Sequence, residues 1–296
     1  MLQVVFLGTS SAVPTESRNH TGILIIYNGS HLLFDCGEGC QRQFVKVGIS
    51  PLRLDKIFIT HLHADHILGL SGLLQTMAMK DYNKELEIYG PQGIKDYIKA
   101  NAKFFPIINT LKLKIREIER DEQFDFGDFF IMAKKLEHVA EVYGYCFVEK
   151  DKIKIKQKYV KLLGGPSPLF KLLKKGKTIE YRGRKIKPKD ATFVVPGKKV
   201  SIILDTRKCK NAFNLAKRAD LLIIECVYSK EMQELAREYA HLSTNDVRGI
   251  IKKAKAKKVA LVHFSERFDK KEDSLLREIN LKNVFIANDF MKVTVN

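Results

Sequence analysis

Three histidines and an aspartate occupy six consecutive positions directly after the short apolar run Ile57–Ile59. Imidazole and carboxylate groups are the ligands that divalent transition metals, zinc above all, prefer in proteins. In an extended segment, His61 and His63 point to the same side, and Asp65 and His66 follow in the next turn. One open catalytic zinc takes only three protein ligands, so this spacing predicts two adjacent metals. A polar turn with incidental histidines is the alternative, but it would not gather three of the chain's eight histidines here.

Polar residues also follow three later apolar runs that are typical of buried strands. Asp205, Glu225 and His263 each come directly after such a run. Active sites of layered α/β proteins commonly lie in the loops beyond the strand ends, so these residues and the histidine motif (His61–His66) are predicted to meet at one rim. Taken alone, each has a simpler explanation, because an aspartate after a strand is usually a turn residue and a single histidine often belongs to the core.

The apolar pattern predicts an α/β (α+β) fold with sheets covered by helices, because strands and helices alternate through both halves. The length of 296 residues supports one large core or two ordinary ones. Helical patterns cover Ile67–Lys80 and Thr244–Lys258, and Ser243 opens a segment that fits a capping box. The predicted strands are Val4–Leu7, Ile23–Tyr27, Leu32–Phe34, Ile57–Ile59, Val200–Leu204, Leu221–Ile224 and Val259–Val262.

The formal net charge of +18 predicts an anionic partner, either nucleic acid or an anionic membrane surface. Between Lys150 and Asp190, thirteen lysines and two arginines stand against three acids, a net +12 that is two thirds of the excess. A flexible, projecting basic arm is predicted over about 150–178, with its tip at Gly164–Pro168 and four alternating lysines on one strand face. A flexible, solvated insertion without a partner is the alternative. The arm residues predicted to contact nucleic acid are Lys152, Lys154, Lys156, Lys158, Gly164, Pro166 and Pro168.

Five cysteines without a Cys-x-x-Cys pair are typical of reduced thiols in a cytoplasmic protein. Cys36 and Cys40 are close enough in sequence to be extra metal ligands, which is a secondary alternative. No run of eighteen apolar residues occurs, so no membrane span is expected. The segment Met1–Gly8 lacks a basic leader and a small-residue cleavage site, and is predicted to be a strand rather than a signal peptide.

The histidine motif resembles the His-x-His-x-Asp-His signature of the metallo-β-lactamase superfamily. Other segments are similar to the ribonuclease Z family, whose members process the 3′ ends of transfer RNA. This resemblance covers essentially the whole chain and includes a basic arm with a Gly-Pro tip. The similar segments are Phe6–Asn19, Phe34–Gly39, His138 ahead of Gly144 and Tyr145, Leu204–Arg207 and His263–Ser265.

The resemblance implies a four-layer αββα sandwich in a single domain over 1–296, with the arm inserted and two zinc ions per chain. Two cations about 3.5–4 Å apart can activate a water and stabilise both the attacking and leaving oxygens of a phosphodiester. The implied ligands are His61, His63 and His138 for one metal, Asp65, His66 and His263 for the other, and Asp205 as the bridge between them.

Proton transfer in such a site needs two further roles. Asp65, beside the attacking water, is implied as its proton acceptor. In the family, a histidine oriented by a glutamate protonates the leaving 3′-oxygen, and His241 and Glu225 match those positions. The residues after His241, Leu242–Thr244, depart from the Glu-Ala-Thr that is common in the family. The alternative for His241 is an exposed residue ahead of a helix cap.

The resulting prediction is a zinc-dependent phosphodiesterase that removes the 3′ trailer from precursor tRNA and leaves a 3′-hydroxyl, acting as a cytoplasmic homodimer. Arg18, in the N-terminal family segment, joins the arm residues as an RNA-binding candidate. Two alternatives stay open. A small-molecule metallo-hydrolase of the arylsulfatase or cyclic phosphodiesterase type would need no basic arm. A non-catalytic nucleic-acid-binding module would need only the four ligands of a structural zinc site.

Overall fold

A computed structural model describes the whole chain, residues 1–296. Its strands are β1 (Leu2–Gly8), β2 (Gly22–Tyr27), β3 (Ser30–Phe34), β4 (Lys56–Phe58), β5 (Glu85–Gly90), β6 (Lys112–Glu117), β7 (Glu122–Asp125), β8 (Phe129–Lys135), β9 (Tyr143–Glu149), β10 (Lys152–Ile155), β11 (Ile179–Tyr181), β12 (Arg184–Ile186), β13 (Thr192–Val195), β14 (Lys199–Ile203), β15 (Leu221–Glu225), β16 (Lys258–Val262), β17 (Val284–Ile286) and β18 (Lys292–Thr294). Its helices are α1 (Cys40–Lys46), α2 (Ala64–Met79), α3 (Ile94–Phe104), α4 (Gln157–Leu162), α5 (Leu169–Lys174), α6 (Pro188–Ala191), α7 (Lys210–Ala216), α8 (Gln233–Glu238), α9 (Thr244–Ala254) and α10 (Asp273–Ile279).

Two seven-stranded sheets face each other, in the orders β18-β1-β2-β3-β4-β5-β6 and β17-β16-β15-β14-β9-β8-β7. Their inner faces share one core, at the centre of which Phe34, Phe58 and Tyr145 pack ring against ring. Helices α1, α2 and α3 cover the outer face of the first sheet, and α7, α9 and α10 cover that of the second. Because most strands are covered on both faces, they read as continuous apolar runs. The αββα prediction is confirmed.

Parallel strands bring the predicted site residues to one rim. Strands β3 to β6 are parallel in the first sheet, and β14 to β17 are parallel in the second. The histidine motif follows β4, while Asp205, Glu225 and His263 lie at the ends of β14, β15 and β16. Asp205 and His263 have positive φ angles of 44° and 59°. Residues other than glycine rarely adopt this backbone, and such strain concentrates at functional sites.

The two predicted helices are present with different bounds. α2 begins at Ala64 rather than Ile67, so the end of the histidine motif forms its first turn. α9 ends at Ala254 because Lys255 adopts a left-handed φ of 54°, which stops the helix before the predicted Lys258. The predicted capping box is present between Ser243 and Asp246.

The segment between β9 and β14 contains more regular secondary structure than the sequence predicts. β10 pairs with β13 in antiparallel register, from Lys152 opposite Val195 to Ile155 opposite Thr192. The insertion therefore returns to the sheet only at β14 and spans 150–198, rather than 150–178. Elements within it enclose a small core made of Leu163, Leu173, Ile179, Ile186 and Ala191. The arm thus has strand pairing and a small core of its own.

No helix of the structure has the length and apolar character needed to cross a lipid bilayer. All five cysteines are free and buried. Burial raises the pKa of the Cys36 thiol well above its ordinary value, so the thiol stays protonated. Neither Cys36 nor Cys40 belongs to a cluster of metal-ligating side chains, and the alternative that they are extra ligands is wrong.

Candidate metal centre

Four predicted ligands converge in a first cluster that joins both sheets. The ligand atoms of His61, His63, His138 and Asp205 all lie within 4.8 Å of one another. Nε2 of His138 is 3.4 Å from Nδ1 of His63, and Nε2 of His61 is 3.5 Å from Oδ2 of Asp205. His138 comes from the loop after β8, while His61 and His63 follow β4.

A second cluster contains Asp65, His66 and His263. Nε2 of His263 lies 3.0 Å from Nε2 of His66 and 3.2 Å from Oδ2 of Asp65. Asp205 connects the two clusters, because its Oδ1 is 3.2 Å from Nε2 of His263 while its Oδ2 faces His61. One carboxylate oxygen of Asp205 is therefore directed to each cluster.

The chemistry of the donors fits divalent metals. Nε2 of His61 and Oδ1 of Asp205 are buried without a hydrogen-bond partner, although buried polar atoms nearly always have one. Burial lowers the pKa of His61 well below its ordinary value, which leaves the imidazole neutral. The neutral ring has the free lone pair that a metal ligand needs. These imidazole and carboxylate donors can thus hold divalent metal.

Asp35 orients the second cluster and was not among the predicted site residues. Its Oδ2 accepts a 2.7 Å hydrogen bond from Nδ1 of His66, and its two oxygens accept from the amide and hydroxyl of Thr60. Such a carboxylate fixes the tautomer of a ligating histidine and raises its basicity. The available signal was an aspartate directly after a buried strand, the same signal that marked Asp205.

His241, which is half-buried, and the fully buried Glu225 form a dyad beside the clusters. Nδ1 of His241 donates to Oε2 of Glu225 at 2.8 Å, and Oε1 of Glu225 accepts from the amide of Thr206 at 2.7 Å. Burial alone would lower the pKa of His241, but the charge and hydrogen bond of Glu225 outweigh it and raise the pKa to about 9. The ring centroids of His241 and His138 are 5.0 Å apart. The dyad is therefore part of the same site.

A cavity of about 340 Å³ opens over both clusters. His63, Asp65, His138, Asp205, His241 and His263 all line it. Tyr228 and Tyr239 add aromatic surface to the wall, and neither was a predicted site residue. Tyr239 stands two positions before His241, so the sequence held a local signal for it. Aromatic side chains at such a wall can stack on nucleobases.

The predicted RNA-binding residues of the arm do not all share one strand face. Lys152 and Lys154 are exposed on β10, and the Lys152 ammonium contacts Glu149. Lys156 directly precedes α4, and Lys158 lies within that helix. The prediction of a single strand bearing all four lysines is therefore wrong. The exposed residues of the predicted tip, between α4 and α5, are Gly164, Pro166 and Pro168.

Arg18 lies inside the protein, which contradicts its prediction as an RNA contact. Its side chain is only 6% exposed and forms an ion pair with Glu272. The guanidinium also donates to Oγ1 of Thr9, the carbonyl of Ala287 and Oδ1 of Asn288. All three guanidinium nitrogens have partners, so Arg18 ties the N-terminal loop to the C-terminal segment.

Comparisons with known proteins identify the family that the chain is similar to. A family model described as "Anti-Pycsar protein Apyc1" matches residues 2–156. A Ribonuclease Z from Archaeoglobus fulgidus is 34% identical over 303 residues, which cover 100% of this chain and 98% of that relative. A Ribonuclease BN from Escherichia coli is 40% identical and covers 98% of both chains.

Among solved structures, the short form of human tRNase Z matches with a TM-score of 0.74 and 26% sequence identity, over 99% of both chains. The four-layer architecture is the metallo-β-lactamase fold, which other solved structures share. With its full-length identity to curated relatives, the chain belongs to the ribonuclease Z family of metallo-β-lactamase-fold proteins.

Proposed function

We propose that the protein is a metal-dependent endoribonuclease that removes the 3′ trailer from precursor tRNA and leaves a 3′-hydroxyl on the tRNA. The observation that carries this proposal is the pair of His/Asp clusters that meet at Asp205, beside the His241–Glu225 dyad. The full-length similarity to proteins named Ribonuclease Z supports the substrate class. A structural zinc site closes with four ligands, so seven ligand-type side chains around an open cavity favour catalysis.

The proposed cofactor is two zinc ions per chain. One ion would be held by His61, His63 and His138, the other by Asp65, His66 and His263, and both by Asp205. When bound, two such ions lower the pKa of a water and neutralise charge on a phosphodiester. Imidazole and carboxylate ligands suit zinc, which supports this choice among the divalent metals.

Asp65 is the proposed proton acceptor for the attacking water. Its carboxyl lines the cavity and lies beside His66 and His263. Burial alone would raise the pKa of Asp65, but the charges and hydrogen bonds of these two imidazoles hold it well below its ordinary range. The carboxylate is thus ionised at neutral pH, as both ligation and proton acceptance require.

His241 is the proposed proton donor to the leaving 3′-oxygen. A pKa of about 9 keeps its ring protonated at neutral pH. The Glu225 carboxylate holds Nδ1, so Nε2 is the nitrogen available to a substrate. A general acid of this kind acts in the transition state and changes turnover more than substrate binding.

The proposed partner of the basic arm is the folded body of the precursor tRNA. Phosphate contacts by exposed lysines position a substrate without reading its sequence. The resemblance to ribonuclease Z further suggests a homodimer, and the five free thiols support a cytoplasmic location. Sedimentation of the purified protein tests the dimer.

The small-molecule alternative is tested by comparing two substrates. The purified, zinc-loaded protein is expected to cleave precursor tRNA with a far higher kcat/KM than a cyclic nucleotide or an aryl sulfate. A preference for either small substrate, with no cleavage of precursor tRNA, would overturn the proposed function.

A further inference from the structure

A second cavity, of about 440 Å³, opens beside His241. His241 lines both this cavity and the one over the metal clusters, so the two cavities adjoin at this residue. No hydrophobic residue lines the second cavity. Its remaining lining residues are Arg207, Lys208, Gln233, Arg237, Asn245 and Asp246. An all-polar cleft suits a sugar-phosphate backbone rather than a stacked base.

The charge of this second cavity is positive. It has three cations, at Arg207, Lys208 and Arg237, against one acid, Asp246. Oδ2 of Asp246 is already occupied, because it accepts from the hydroxyl of Ser243 and from the side-chain amide of Gln233. The Lys208 ammonium lies 3.6 Å from Oδ1 of Asp246, so one cation is partly compensated.

The two arginines are available to an anion. The backbone of Arg207 is fixed, since its amide donates to the carbonyl of Glu137 at 2.7 Å, while its side chain is exposed. Arg237 contacts only Glu234, one helical turn away, and both side chains are largely exposed. Exposed pairs of this kind contribute little, so a phosphate can replace Glu234 at small cost. Guanidinium groups bind phosphate through paired N–H donors.

We propose that the second cavity binds the RNA phosphate on the 5′ side of the nucleotide whose 3′-oxygen leaves. This inference rests on the proposed function of His241 as the donor to that oxygen. The nucleotide that carries the leaving oxygen then lies against His241, and its own 5′-phosphate is directed away from the metal clusters. Arg207, Lys208 and Arg237 hold this phosphate and thereby set which bond reaches the metals.

The first experiment compares the double variant Arg207→Gln/Lys208→Gln with the wild type. For precursor tRNA, kcat/KM should fall by about 10- to 100-fold, the range of hydrogen bonds to charged groups. Hydrolysis of bis(p-nitrophenyl) phosphate, which has no neighbouring phosphate, should stay at the wild-type rate. Lys252→Gln is the matched control, because Lys252 is exposed on α9 outside the cavity.

The second experiment identifies which phosphate of the RNA the second cavity binds. Precursors carry one uncharged methylphosphonate linkage, either one nucleotide upstream of the cleaved bond or one nucleotide downstream. The upstream change should slow the wild type at least as much as the double variant is slowed. It should slow the double variant much less than it slows the wild type, because only Arg237 is left to hold that phosphate. The downstream change should lower kcat/KM by the same factor in the wild type and in the double variant.

Three outcomes would overturn the proposal: unchanged RNA cleavage by the double variant, loss of bis(p-nitrophenyl) phosphate hydrolysis, or coupling to the downstream linkage. A wild type that hydrolyses bis(p-nitrophenyl) phosphate but not precursor tRNA would instead refute the proposed function, and the phosphate site with it. Wild-type cleavage of precursor tRNA separates the two failures.

Discussion

Oδ2 of Asp35 lies 2.7 Å from Nδ1 of His66, and this contact turns Nε2 of His66 toward Asp65, Asp205 and His263. Both partners are fully buried. The contact is shorter than the 3.4 Å between Nδ1 of His66 and Oγ1 of Thr60, so Asp35 is the main partner that fixes the tautomer. Asp35 is therefore a positioning residue for the second cluster.

The Asp35→Ala variant should bind zinc about 10- to 100-fold more weakly, as expected for loss of a carboxylate behind a ligating histidine. Calorimetric titration of zinc into the metal-free protein measures this loss. Asp125→Ala is the control, since Asp125 is exposed and remote from the clusters. Equal zinc affinity in Asp35→Ala and wild type would show that His66 does not depend on this contact.

The Asp205→Ala variant should lose RNA cleavage and hold fewer than two metals per chain, because one carboxylate faces both clusters. Its fold should survive, since Oδ1 of Asp205 has no hydrogen-bond partner to lose. Elemental analysis gives the metal content, and circular dichroism checks the fold. Near-normal turnover with two metals bound would remove Asp205 from the site.

The Glu225→Gln variant should lower the pKa of His241, which Glu225 raises to about 9. A raised pKa keeps the imidazole protonated until pH rises through that value, so loss of the carboxylate moves deprotonation to lower pH. NMR titration of the metal-free protein follows the ring directly, with His31 as a remote control ring. The falling alkaline limb of the RNA cleavage profile should move the same way. An unchanged His241 titration would contradict the dyad.

Excision of the arm should separate RNA binding from chemistry. The amide of Gly197 donates to Oδ1 of Asp151 at 2.9 Å, so residues 152–195 can be replaced by a short glycine turn. The Michaelis constant for precursor tRNA should rise and its salt dependence should flatten, because phosphate contacts are lost. Hydrolysis of bis(p-nitrophenyl) phosphate should persist. If excision left RNA cleavage unchanged, the arm would have no role in binding.

The Arg18→Ala variant should lower the free energy of unfolding by about 3–5 kcal/mol, since it leaves the buried Glu272 without its partner. Urea denaturation measures the loss. The double variant Arg18→Ala/Glu272→Ala should lose less than the sum of the two single changes. A stable Arg18→Ala protein with weaker RNA binding would restore Arg18 as an RNA contact.

Much of the site could be predicted from the sequence, because six of the seven candidate ligands stand at the end of an apolar run or within one short motif. His138 is the exception, since only the family resemblance indicated it. Asp35 could not be assigned, since it is 31 residues from His66 and only the parallel register of β3 with β4 brings the two together. The burial of Arg18 could not be predicted either, because its ion-pair partner Glu272 is 254 residues away in the sequence.

In the arm, the alternation of lysines did not predict the secondary structure correctly. Lysine alternation predicts a strand through Lys158, but β10 ends at Ile155. From Gln157 onward, apolar residues recur at helical spacing, and Tyr159 and Leu163 pack into the small core of the arm. This packing decides the local structure, and the lysine pattern does not.

The most direct test of the account is to map the ends that the zinc-loaded protein produces from a precursor tRNA. We expect one cut at the 3′ side of the acceptor stem, with a 3′-hydroxyl on the tRNA and a 5′-phosphate on the trailer. Asp65→Asn, which keeps an oxygen ligand but loses the proton acceptor, should slow this cut by orders of magnitude. Products ending in a 2′,3′-cyclic phosphate, or scattered cuts along the RNA, would contradict it.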